Sequence, residues 1–163
     1  MKLWNAVLTI SLVLMFALSP LAILAETPTA VRPALNAGSY WKYQGSNNGK
    51  PLYYADRLEG IEEVNGEKYY VVRQGSHQRY FTLDLGFAMR KNGRGDIINQ
   101  VTPPIAYFQW PLRVGDRWEQ RGVYHVINNS SERYDQEFRV LGYEKVRTRA
   151  GEFDAFKLSR KGT

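Results

Sequence analysis

The side chains that could carry chemistry in this sequence are few. Glu59, Glu62, Glu63 and Glu67 lie close together. Two carboxylates facing each other across a cleft can hydrolyse a glycosidic bond, one as the acid and the other as base or nucleophile. Here they run along neighbouring extended segments beside Arg57 and Lys68, which is the composition of a solvated hairpin face. His77 follows Ser76 in Gly75-Ser76-His77-Gln78. Adjacent residues on an extended chain point apart, and no Gly-x-Ser-x-Gly elbow is present, so a serine nucleophile is not expected. His125 is the only other histidine. No His-x-His or His-Glu-x-x-His spacing occurs, so no metal site is expected. Arg94-Gly95-Asp96 matches a cell-adhesion tripeptide, but Lys91-Asn92-Gly93-Arg94-Gly95-Asp96 reads as a tight turn. Asn128 and Asn129 both open an Asn-x-Ser glycosylation pattern, which matters only in a host that uses it.

The aromatic side chains are the other resource. There are 11 tyrosines, 7 phenylalanines and 4 tryptophans, enough to argue against disorder. Such residues fill cores, and they also line curved sheets that hold lipids, glycans or apolar molecules. Trp41, Tyr43, Trp110, Trp118 and Tyr124 are the expected lining residues of such a site.

The chain that must position these groups has 163 residues, the size of one domain plus an export segment. It contains no cysteine. Disulfide frameworks, thiolate zinc sites, iron–sulfur clusters and cysteine nucleophiles are therefore excluded, and no cofactor is expected.

Residues 1–25 carry one charge, Lys2, followed by a nearly continuous apolar run that ends in a small residue at Ala25. That order is the pattern of a secretory signal peptide, with cleavage expected after Ala25. Pro20 breaks the apolar helix just before the cut. An uncleaved anchor is the alternative, since such a run could just span a bilayer. Both place the remainder outside the cytoplasm, in the periplasm or beyond. Without Lys2 the net charge falls from +6 to +5. A basic exported protein can attract anionic headgroups or wall polymers, and nucleic acid is not an expected partner there. Residues 26–38, with two prolines and several small residues, read as a linker to a domain at 39–163.

That domain reads as strands. Candidates are 39–45, 53–64, 67–74, 79–84, 86–91, 96–101, 105–109, 117–127, 133–142, 143–148 and 153–160. Asn65-Gly66 between two of them predicts a type I′ hairpin, and Pro103-Pro104 is expected to stop a strand. Trp118, Tyr124 and Val126 fall on one face of their segment, as do Tyr134, Phe138 and Val140, with charged residues opposite. This is the alternation of an antiparallel sheet with one buried face. The expected fold is all-β, an antiparallel barrel, incomplete half-barrel or curved sheet. A weak repeat is also visible. Trp41 and Trp118 each open a block that later reaches a hairpin with glutamate after its glycine.

Pro111-Leu112-x-Val114-Gly115-x-x-Trp118, then Ala150-Gly151-x-Phe153-x-Ala155-x-Lys157, resembles a group of exported bacterial β-rich proteins of unknown function. The likeness is strongest over about residues 105–163. It implies an incomplete antiparallel barrel or curved sheet, and the group has no established catalytic residues to carry over. Members of the group continue with an aromatic, proline-containing hairpin, whereas this sequence stops at Lys161-Gly162-Thr163. In this reading Trp118 anchors a strand and Phe153 caps the last hairpin from inside.

The functional expectation is a non-enzymatic envelope protein that binds an apolar or amphipathic ligand, such as a lipid, in a curved sheet. An envelope interaction module that accepts a strand at an exposed edge ranks second. A hydrolase of envelope polymers using Glu62, Glu63 or His77 ranks third.

Overall fold

The computed structural model describes residues 27–162, and of Asn47 the backbone only. The signal segment expected at residues 1–25 lies outside the described residues. Among those residues every regular element is a strand. β1 (Thr29–Ala30) pairs antiparallel with β8 (Leu112–Arg113), so the stretch read as a linker contributes a short ribbon. The other nine strands form one sheet: β2 (Tyr40–Asn47), β3 (Lys50–Val64), β4 (Glu67–Gln74), β5 (His77–Thr82), β6 (Phe87–Lys91), β7 (Ile97–Ile105), β9 (Arg117–Val126), β10 (Ser131–Thr148) and β11 (Gly151–Gly162). Their order is β11-β10-β9-β7-β6-β5-β4-β3-β2, and every neighbouring pair is antiparallel.

The antiparallel all-β expectation holds, but its closed-barrel form does not. Among the described residues β2 and β11 each pair on one side only, so the sheet is open. It is nonetheless curved, because side chains from β3 round to β11 line one common cavity.

Local sequence explains most of the boundaries. Asn65 and Gly66 have φ of 53° and 83°, the signs a type I′ turn needs. At the 92–96 turn, Asn92 Oδ1 accepts from the amides of Arg94 at 2.9 Å and Asp96 at 3.0 Å. Other expectations are corrected. Pro103-Pro104 does not stop a strand, since β7 runs through both. Their carbonyls are taken by side chains, Tyr134 Oη donating to Pro103 and Gln120 Nε2 to Pro104. Residues 106–109 are irregular, and 133–142 and 143–148 are one long strand. Phe153 is 52% exposed and does not cap its hairpin from inside.

The repeat has a counterpart in the backbone. Gly38-Ser39-Tyr40-Trp41 opens the meander β2-β3-β4, and Gly115-Asp116-Arg117-Trp118 opens β9-β10-β11. The two glycines have φ of 90° and 95°. The Gly38 amide donates to Leu58 O and the Leu58 amide to Ser39 O, while Gly115 and Asp116 repeat both bonds with Val140. Each middle strand then bulges just before a glycine two residues further on, between Leu58 and Gly60 and between Val140 and Gly142. An extra residue at a fixed place bends both long strands alike.

The main core lies where the second meander meets β7. Phe87, Val101, Ile105, Leu112, Trp118, Tyr134, Phe138 and Val140 are buried together. The irregular 106–111 segment and the β1–β8 ribbon cover it, with Ala30, Tyr107, Phe108 and Trp110 packed against it. Trp118 stacks on Phe138 with ring centroids 5.2 Å apart, and its Nε1 donates to Ala106 O at 2.9 Å. A smaller cluster of Val71, Tyr80 and Met89 packs separately. In the β4, β5 and β6 ladder these three are register partners of one another, so they share the face opposite to Val72, Arg79 and Arg90.

Candidate functional site

A cavity of about 810 Å³ opens on the concave face, bounded by both meanders and the strands between them. Counting back from the two bulges, Tyr54 is equivalent to Gln136 and Leu52 to Tyr134. Across the ladders, Gln74 is equivalent to Arg160. All six line the cavity. The two similarly built meanders therefore present matching positions to one space, and the chemistry differs between the two sides.

The floor is apolar and aromatic. Phe87 and Ile105 belong to the main core, and Tyr107, Tyr124 and Tyr134 complete the surface. Burial pushes the Tyr134 phenol above its ordinary value, so it stays protonated and donates to Pro103 O at 2.8 Å.

The walls are basic. Arg79, Arg90, Arg133 and Arg160 line the cavity, against one carboxylate in the lining, Glu132. Arg79 is partly neutralised: its Nη1 is 3.7 Å from Oδ2 of Asp56, a 6%-exposed carboxylate that also accepts from Gln74 Nε2 at 2.8 Å. The same guanidinium lies 4.9 Å from the ring centre of Phe81. Arg90 is held differently. The donors around the buried Asn99 amide assign its orientation: with its oxygen turned toward them, it accepts from Arg90 Nη2 at 2.9 Å, Arg90 Nε at 3.1 Å and Tyr124 Oη at 2.8 Å. That network fixes the fork without cancelling its charge. Arg160 lies 5.7 Å from the Tyr107 ring centre. One polar atom is left over: Oε1 of Gln136, a residue 5% exposed, has no hydrogen-bond partner among the described residues.

The aromatic residues expected to bind a ligand are distributed rather than gathered. Tyr124 lines the cavity. Tyr43 does not, but stacks at 4.7 Å on Tyr54, which does. Tyr43 itself borders a second depression between β2, β3 and the β10–β11 turn. Trp41 is half-buried on β2, opposite Asp56. Trp110 donates its Nε1 to Asp84 O at 3.2 Å, and Trp118 is core. The arginines, Asn99 and Gln136 escaped the sequence reading. A signal for two of them was present. Gln136 interrupts Tyr134-x-Gln136-x-Phe138-x-Val140, and Arg160 ends Phe156-x-Leu158-x-Arg160, so both are polar at positions where alternation demands apolar side chains.

The hydrolytic candidates are placed as follows. Glu59 accepts from Arg73 Nη2 at 3.1 Å and Gln78 Nε2 at 2.8 Å. Glu62 accepts from Tyr80 Oη at 2.8 Å and faces Lys91 at 3.4 Å. Glu63 and Glu67 are exposed, as the solvated hairpin face requires. His77 Nδ1 and Ser76 Oγ are 3.4 Å apart on the rim of a turn, and His125 Nδ1 is 2.8 Å from Ser131 Oγ. Among the described residues no three His, Asp or Glu side chains converge to hold a metal ion. None of them forms a helix long and apolar enough to cross a membrane.

No family model, curated protein or solved structure matches this chain.

Proposed function

We propose that this protein is an exported envelope component that holds an amphipathic ligand against the concave face of its open sheet, without catalysing a reaction on it. The observation that carries this reading is a cavity with an aromatic floor and basic walls, bounded by matching positions of two similarly built meanders. An apolar concavity with a few convergent polar groups is the usual form of a small-molecule site. The signal-like segment, the absence of cysteine and the likeness to exported β-rich proteins support the location.

The test is native mass spectrometry on protein recovered without detergent from the periplasm of cells expressing the full chain. The expected result is a reproducible added mass that is lost on denaturation and extracts into organic solvent. A bare protein mass from folded protein, unchanged after incubation with an envelope lipid extract, overturns the reading.

A second reading, acceptance of a strand from another envelope protein, is favoured by the two edges that pair on one side only among the described residues. Nine strands paired antiparallel throughout leave β2 and β11 running in the same direction. One further strand, antiparallel to both, is what such a sheet needs for antiparallel closure. In the same spectrum this reading predicts the added mass of a polypeptide.

A further inference from the structure

We infer that the cavity selects an anionic amphiphile, whose acid group sits on Arg90 and Arg160. The inference rests on the reading of this cavity as a ligand site and names the class of ligand.

Charge is the first argument. Of the four arginines in the lining, only Arg79 has a carboxylate partner among the described residues. Arg90, Arg133 and Arg160 have none, although most other arginines of the sheet are paired, as in Arg117–Glu137, Arg121–Asp135 and Arg147–Glu152. Glu132 is the one acid in the lining and makes no ion pair there. An anion entering the cavity meets unneutralised guanidinium groups in a partly desolvated space, where charge-assisted hydrogen bonds are strong.

Preorganisation is the second argument. Arg90 is gripped by a neutral acceptor, the 3%-exposed Asn99, which is itself tied to Tyr124. A carboxylate in that place would have cancelled the charge; an amide oxygen orients the fork and leaves the charge available. A planar guanidinium so held is suited to bidentate recognition of a carboxylate, phosphate or sulfonate.

The third argument is independent of charge. Phe87, Ile105 and Tyr107 give the cavity an apolar surface that receives the ligand's apolar part.

The test uses dansylaminoundecanoic acid, which carries an acid, a sulfonamide N–H and an alkyl chain, and its methyl ester, which lacks only the charge. Both are titrated fluorimetrically into the protein from the full chain. The acid is expected to bind at least about tenfold more tightly than the ester, and Arg90→Gln and Arg160→Gln each to remove most of that difference while leaving the ester within about twofold. Arg90→Lys, which keeps the charge but not the fork, is expected to lie between. Arg160 is exposed, so its substitution leaves the fold intact, and thermal melting checks this for every variant. Equal binding of acid and ester, unaffected by the arginine variants, overturns the anionic class and leaves the cavity reading standing. Binding of neither probe overturns the cavity reading and the inference with it.

Discussion

Gly122 shows how one residue can decide a local arrangement. A Cβ there would lie 2.5 Å from Thr102 O and 2.6 Å from the Tyr134 hydroxyl. The missing side chain is the space through which Tyr134 crosses β9 to reach Pro103. Gly122→Ala must push either backbone or a buried ring. We expect it to destabilise the protein by about 1–3 kcal/mol, the usual cost of overpacking, measured by urea denaturation. Unchanged stability would show that the ring moves aside freely. Glu59 gives a pH-dependent case. The hydrogen bond from Arg73 holds its carboxyl below the ordinary 4.5, with Gln78 adding to the effect and burial opposing it. A depressed folded-state value means the contribution is complete above the unfolded value and is lost as pH falls through the folded one. Glu59→Gln is therefore expected to lower stability at neutral pH by about 0.5 kcal/mol, the scale of exposed pairs, and to flatten the acid limb of the stability profile. Superimposable profiles of the two proteins down to about pH 3 would contradict this.

At the scale of elements, strand length and burial do not go together. β10 is the longest strand, yet its buried residues, Tyr134, Gln136, Phe138 and Val140, all lie before its bulge. Beyond Gly142 the β10–β11 hairpin is exposed on most positions, with Tyr143, Val146 and Phe153 open to solvent. Backbone pairing holds that end, helped by the Tyr143–Phe156 ring contact and by surface pairs such as Lys145–Asp154 at 3.2 Å. Exposed pairs contribute little, and an isolated hairpin is marginal in water. The amides of Val146 and Phe153 are accordingly expected to exchange with deuterium at least about a hundredfold faster than those of Gln136 and Phe138, since local opening governs the first pair and global unfolding the second. Uniform protection along β10 would mean that the distal hairpin is stabilised by something other than the sheet. The same contrast explains Phe153. Sequence put it inside because aromatic residues usually are, but the strand outruns the core that could receive it.

For the molecule as a whole, the two similarly built meanders at opposite ends of one sheet make a concave space with related positions on its two sides. At one pair of equivalent positions the first meander has the buried Asp56 and the second has Phe138, so one side is polar and the other stacks on Trp118. Much of this was legible in the sequence. Alternation over 117–126 and 134–140 gave the strands and their inner faces, because a side-chain period of two is fixed by the extended backbone. Asn65-Gly66 gave its turn, because only certain residues accept positive φ at both positions. Export was likewise an expectation from residues 1–25 alone. What alternation cannot give is the order of strands, since pairing depends on which distant segments meet. Sequence could not say that β7 would neighbour β9 while β8 left to join β1, nor that the sheet would stay open. It also could not join Arg90, Asn99 and Tyr124, which lie on three strands and meet only through register. Local backbone preference determined the strands and turns; long-range pairing, which no local period encodes, decided the curvature, the open edges and the cavity.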